Sequence, residues 1–307
     1  MRKTCLDMVY EMAKADERVF FIGSDLGVGT LDKFKKEIPE RFLMEGISEA
    51  NIVGMAAGMA LEGSIPYINT IGVFLTRRCF EQITLDLCLH HLNVRLIGSG
   101  GGLVYAPLGP SHLAIEDMAI LRCLPNMTIL APADASEMSR LMPLTLEHQG
   151  PIYIRLAKGG DAIVTPAEAE YKIGRAVPIR DGNDAVIITT GVGLHVALEA
   201  ADSLAAQGVR AGVLHMHTVK PVDKEAILQR LQQAPVAVTV EEGVINGGLG
   251  SAVAEIVAEA NFNPSKKFAR IGIPDVFADR YGSQAELMRY YGITAENVAD
   301  TVKRLAG

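Results

Sequence analysis

Short apolar, β-branched runs alternate with stretches of helical spacing from one end of the chain to the other. Val19–Gly23, Tyr67–Thr70, Val94–Gly98, Met127–Leu130 and Ile152–Arg155 read as strands. Between them, residues 3–15, 50–62, 77–90, 114–122 and 135–148 carry helical periodicity. Strands alternating with helices in this way predict a parallel sheet covered on both faces. The alternation breaks at about residues 158–172, where Gly159-Gly160-Asp161 and Thr165-Pro166 interrupt it. It then restarts with strands at Ala185–Thr189, Ala211–His215, Val236–Val240 and Ala269–Ile273. Leu194–Gln207 reads as a helix stopped by Gly208. The chain is therefore expected to be α/β, with two parallel-sheet domains at 1–160 and 161–307, the second smaller.

Composition narrows the class of function. At 307 residues the chain has room for two ordinary domains, and 49% hydrophobic with 21% charged residues is a globular balance. A net charge of −7 offers nothing to nucleic acid or to an anionic membrane. Cys5, Cys79, Cys88 and Cys123 match no zinc spacing and are expected to be reduced and mostly buried. The opening Met-Arg-Lys-Thr has no apolar signal segment, and no stretch approaches the ~18 apolar residues of a membrane span. A soluble, cytoplasmic protein is expected.

Four segments could carry chemistry. Glu49 stands at the mouth of the small-residue helix Ile52–Leu61, where a carboxylate either serves the helix dipole or is held near burial for a purpose. Gly54, Ala57 and Gly58 on that helix allow another backbone to approach closely, from a partner subunit or from the same chain. Phe74-Leu-Thr-Arg77-Arg78-Cys-Phe80 joins two aromatics and two arginines. Aromatic faces can hold a flat heterocycle and Arg an anion, though buried aromatics often simply pack. His112, in Gly109-Pro-Ser-His112 after the flexible Ser99-Gly-Gly-Gly102, sits where open α/β sheets present ligand-facing residues. Its ordinary pKa near ~6.5 suits proton transfer. Gly247-Gly-Leu-Gly250 lacks dinucleotide-binding spacing and reads as a tight strand-to-helix turn.

Taken in order, several stretches resemble the C-terminal half of transketolases and 1-deoxyxylulose-5-phosphate synthases, and more distantly the β subunits of 2-oxoacid dehydrogenases. They are Gly46-Ile-Ser-Glu49, Phe74 to Gln82, Gly109-Pro-Ser-His112 and Leu121 to Asn126 with Ala131-Pro-Ala-Asp134. Val219 to Asp223, Glu241-Glu242-Gly, Gly247 to Ser251 and Ile273 to Phe277 complete the set. The resemblance covers essentially the whole chain.

It implies a pyrimidine-binding domain for thiamine diphosphate at 1–160, then a transketolase C-terminal domain. By the same resemblance Glu49 is the glutamate that activates the cofactor for transfer of a two-carbon ketol unit from a ketose to an aldehyde. Asp25, Leu26, Phe74, Arg77 and Phe80 would contact the cofactor, His112 both cofactor and substrate, and Arg155 and Lys158 the substrate. The family's Gly-Asp-Gly and downstream Asn, which anchor a divalent metal and the diphosphate, have no counterpart; Arg180-Asp-Gly-Asn183 reads as a hairpin-like turn. A separate diphosphate-binding subunit carrying Mg2+ or Ca2+ is thus expected, in a heterotetramer with two copies of each chain. Three departures from the family pattern point to an altered substrate. Leu108 replaces an acidic residue, Gly100 aligns with a transketolase histidine, and Lys158 replaces the arginine that grips a sugar phosphate.

Overall fold

A computed structural model describes residues 1–23 and 31–307. The first half contains strands β1 (Val19–Gly23), β2 (Phe42–Met44), β3 (Ile65–Ile71), β4 (Arg95–Ser99), β5 (Thr128–Leu130) and β6 (Ile152–Leu156). Its helices are α1 (Arg2–Ala15), α2 (Asp32–Glu37), α3 (Glu49–Leu61), α4 (Phe80–Gln82), α5 (Asp117–Arg122) and α6 (Ala135–Glu147). Two π-helical segments, Phe74–Arg78 and Ile83–Leu89, flank α4. The second half adds β7 (Val177–Arg180), β8 (Ala185–Thr189), β9 (Ala211–His215), β10 (Thr218–Lys220), β11 (Val236–Val244) and β12 (Lys267–Ile273). Its helices are α7 (Gly193–Ala205), α8 (Lys224–Gln233), α9 (Leu249–Glu259), α10 (Gln284–Tyr290) and α11 (Ala295–Ala306).

The strands form two sheets, in the orders β10-β5-β6-β4-β3-β1-β2 and β12-β11-β8-β9-β7. Neighbours are parallel except for β10 on β5 and β7 on β9. Strands β4, β5, β6, β8 and β9 are buried along their whole length, as strands covered by helices on both faces must be. Local chemistry sets several helix starts. The carboxylate of Asp134 accepts the Glu137 amide at 2.9 Å to begin α6, and Ser283 and Glu286 make a reciprocal cap on α10.

The sequence left β2, β7 and β10 unread, and β10 matters most. It comes from the second half yet pairs with the edge of the first sheet. The expected hairpin-like turn at 180–183 instead links β7 and β8, which are not neighbours in the sheet. One hydrophobic cluster runs unbroken from Ile52, Leu87 and Ile129 to Ile188, Leu214 and Val253, so both halves share a core. On α3, Ile52, Val53 and Ala56 face that core, Gly54 approaches Asp86, and Gly58 is exposed.

Candidate active site

The segments carrying the candidate residues follow the carboxyl ends of strands in the first sheet. Glu49 comes after β2, Phe74 to Phe80 after β3, the 100–112 loop after β4 and Lys158 after β6. Strand order β6-β4-β3-β1-β2 gathers them at one end of the sheet, where open α/β sheets bind ligands. Asp25 and Leu26 follow β1 in sequence but lie outside the described residues.

Glu49 is the first residue of α3 and only 4% exposed. The preceding Ser48 gives no side-chain cap, so the carboxylate itself stands at the positive end of the helix. Arg78 Nη1 donates to Glu49 Oε2 at 2.7 Å. The same guanidinium lies 4.6 Å from the centroid of the Phe74 ring. Phe74 in turn meets the His112 ring edge-on, with centroids 5.2 Å apart. Glu49, Arg78, Phe74 and His112 thus form one continuous chain of contacts. Beside it, burial and then the Glu49 charge push the Cys79 thiol up to about 12, so the sulfur stays protonated.

His112 closes a 3₁₀ turn, Pro110–His112. Its Nδ1 shares a hydrogen bond with Ser111 Oγ at 2.9 Å; with the hydroxyl as donor, the ring proton sits on Nε2. Two tyrosines press on glycines of this loop. An added Cβ at Gly100, where φ is +79°, would fall 2.0 Å from the Tyr105 ring, and one at Gly109, where φ is +80°, would fall 2.6 Å from Tyr281. The Tyr105 ring thus occupies the space that a side chain at position 100 would take.

The remaining candidates are placed differently. Arg77 donates to Glu116 and to the Leu113 carbonyl at 3.2 Å, so this guanidinium braces the His112 loop, while its neighbour Arg78 faces Glu49. A cleft of about 520 Å³ opens beside the Arg77–Glu116 pair, lined also by Ile115, Val244, Asp275 and the exposed Phe277. Phe80 packs half-buried against the shared core. Arg155 is buried and makes three hydrogen bonds. Its Nε donates to Asp117 Oδ2 at 2.8 Å and its Nη2 to the carbonyls of Ala114 and Glu242 at 3.0 and 2.8 Å. Lys158, three residues on, is exposed beyond the end of β6. Sequence reasoning missed Arg78 as the partner of Glu49 and the inward placement of Glu242. No group of three or more His, Cys, Asp or Glu is placed to hold a metal ion among the described residues. No helix among them is long and apolar enough to cross a membrane.

Comparison with known proteins identifies the family. Residues 1–160 match the family model for the transketolase pyrimidine-binding domain, and 174–298 the model for the transketolase C-terminal domain. The chain is 36% identical to a 6-deoxy-6-sulfo-D-fructose transketolase subunit of Clostridium sp. (strain MSTE9), over 97% of this chain and 92% of that protein. It is 37% identical to a putative transketolase C-terminal section of Methanocaldococcus jannaschii, over 98% and 95%. Among solved structures, a split-gene transketolase described as an inactive beta4 tetramer superposes with a TM-score of 0.90 at 35% identity, over 99% of this chain and 97% of that one. 1-Deoxy-D-xylulose-5-phosphate synthases also align with nearly the whole chain, which spans under half of their length. The chain belongs to the transketolase family of thiamine diphosphate-dependent transferases and carries that family's pyrimidine-binding and C-terminal domains.

Proposed function

We propose that this chain is the pyrimidine-binding half of a split transketolase. It would move a two-carbon ketol unit from a ketose to an aldehyde only when a separate diphosphate-binding subunit completes the site. The observation that carries this reading is the buried Glu49 carboxylate at the start of α3, one contact chain away from His112. Its surroundings fit an aminopyrimidine. A buried carboxylate can accept a hydrogen bond from a protonated ring nitrogen, and Phe74 offers a face to a flat ring.

When bound, the cofactor supplies the carbon nucleophile and electron sink for breaking and remaking a carbon–carbon bond beside a carbonyl. This chain's residues do the positioning. Glu49 holds the ring-nitrogen proton, while Arg78 neutralises the buried charge. Phe74 walls the ring, with Phe80 behind it in the core. His112 passes a proton to or from a substrate oxygen at Nε2. Lys158 holds the anionic end of the sugar as a point charge. Asp25 and Leu26 are assigned to the cofactor by resemblance alone. The divalent metal, Mg2+ or Ca2+, belongs with the diphosphate on the partner chain, because the Gly-Asp-Gly anchor is missing from this sequence.

The named relatives support a divided enzyme. One is called a subunit, one a C-terminal section, and one a split-gene product inactive as a tetramer of its own kind. A complex with two copies of each chain suits the family's two-fold sites. The Clostridium relative acts on a sulfonated ketose by its name. That name and the exposed Lys158 support sulfonated ketoses beside phosphorylated ones as candidate donors.

Native mass measurement of the complex from its own cells tests the proposal. A second chain with bound thiamine diphosphate is expected, and ketol transfer without release of carbon dioxide. Carbon dioxide from pyruvate would favour a 1-deoxyxylulose-5-phosphate synthase-like or 2-oxoacid dehydrogenase-type subunit. A homo-oligomer that recruits no cofactor with any partner would favour a noncatalytic assembly role.

A further inference from the structure

The loop carrying His112 belongs to the first domain by sequence, yet its stems are gripped by the second. Gly102 N donates to Ala114 O at 2.8 Å, closing the loop into a ring of residues. Strand β11 of the second domain lies along that closure. The carboxylate oxygen Glu242 Oε1 accepts the Leu103 amide at 2.8 Å on one stem, and Val244 N donates to Ile115 O at 2.9 Å on the other. Arg155 ties the closure to the strand by donating to both the Ala114 and Glu242 carbonyls. The stem side chains Leu103, Ala106, Leu113 and Ile115 pack in the same cluster as Ile187, Leu194 and Val240 of the second domain. Tyr281 covers Gly109 near the loop's apex.

We infer that Glu242 is a positioning residue: through the Leu103 amide it fixes the His112 loop, and the second domain serves the reaction by holding this clasp shut. The carboxylate is well placed for this. It is 2% exposed, and Gln284 Nε2 donates to the same Oε1 at 2.9 Å. Gly102, with φ at +66°, passes so close that an added Cβ would lie 2.5 Å from the Glu242 carboxyl carbon. Buried amides demand an acceptor, and no other acceptor is recorded for Leu103 N–H among the described residues. Glu49 and Phe74 lie outside the clasped loop, so loosening it would displace His112 first and reach the cofactor wall only through the Phe74–His112 contact.

The inference rests on the proposed transketolase reading for the role of His112, but the clasp can be read without turnover. Full-length Glu242→Ala, Glu242→Asp and Glu242→Gln would be compared with wild type, each with the partner subunit present. Amide exchange across 103–113 would be followed by mass spectrometry, alongside kcat, KM and the Kd for thiamine diphosphate. Glu242→Ala and the shortened Glu242→Asp are expected to speed exchange across the loop and to lower kcat by about tenfold or more, with the Kd for thiamine diphosphate changed less than kcat. Glu242→Gln keeps an oxygen for the Leu103 amide and is expected to recover both exchange protection and most of kcat. Full kcat in a folded Glu242→Ala or Glu242→Asp would overturn the inference, as would unchanged loop exchange in both. If Glu242→Ala fails to fold, Glu242→Asp and Glu242→Gln decide between them. A wild-type chain without turnover in any complex would sink the transketolase reading, while loop exchange would still decide the clasp.

Discussion

Arg78 Nη1 and Glu49 Oε2 stand 2.7 Å apart, with the glutamate side chain 3% exposed and the arginine 48% exposed. The pair is lopsided: the charge needing neutralisation is inside, and its neutraliser reaches in from the surface. A partner at the rim can move away when something else occupies the site, whereas a buried partner cannot.

Replacing Glu49 tests the chemistry directly. Glu49→Gln is nearly isosteric and should leave the fold intact. Turnover in the complete enzyme should fall on the order of 10²–10⁴-fold, as for the loss of an acid–base group. Activity close to wild type would remove Glu49 from the mechanism.

Arg78→Met should destabilise the isolated subunit by leaving Glu49 unpaired. Water screens the half-exposed arginine, so the loss should be about 1–2 kcal/mol, below that of a fully buried pair. Adding Glu49→Gln should restore much of it, because the stranded charge is then gone. Chemical denaturation of the single and double variants measures the coupling, and strictly additive effects would argue against the pairing.

Lys158→Ala should raise the apparent KM for phosphorylated or sulfonated ketoses more than it lowers kcat. An uncharged ketose of the same length should be affected far less. Equal effects on charged and uncharged donors would place Lys158 outside the anion site.

Acid sensitivity should trace in part to His217. This ring is fully buried where the halves meet, facing Glu137, His215, Thr218 and Tyr171, and its Nε2 has no hydrogen-bond partner among the described residues. Burial pushes its pKa down from 6.5 to about 4. Between those values the unfolded chain holds a proton that the folded chain refuses. Stability present above pH 6.5 is therefore lost as pH falls, with a total penalty on the order of 3 kcal/mol reached near pH 4. His217→Gln should show a smaller drop in urea midpoint between pH 7 and pH 5 than wild type. Identical drops would assign the acid sensitivity to other groups.

The alternation of strands and helices was legible because each buried parallel strand writes a compact apolar run, as Ala185–Thr189 and Ala211–His215 do. Strand β10 was not, since its three residues carry too little pattern and pair far from their own sheet. The choice between Arg77 and Arg78 was hidden for a different reason. Helical spacing assumes i→i+4 bonding, but Phe74–Arg78 is π-helical, and the wider turn changes which arginine looks toward Glu49. The partners of Arg155 were hidden because Asp117, Ala114 and Glu242 lie 38, 41 and 87 residues away along the chain and meet it only in the fold. Glu242 was visible in the Glu241-Glu242-Gly stretch, but its hydrogen bond to Leu103 spans 139 residues.

Strand β10 sets where this protein can be recombined. A chimera joined in the linker near residue 165 would ask a foreign strand to seal the exposed flank of β5. Moving the crossover past Lys220 would carry that flank along with the first sheet, but it would set a foreign β11 against the native β8 in the middle of the second sheet. Neither cut leaves both sheets whole, so the obvious linker does not divide the chain into two self-contained units.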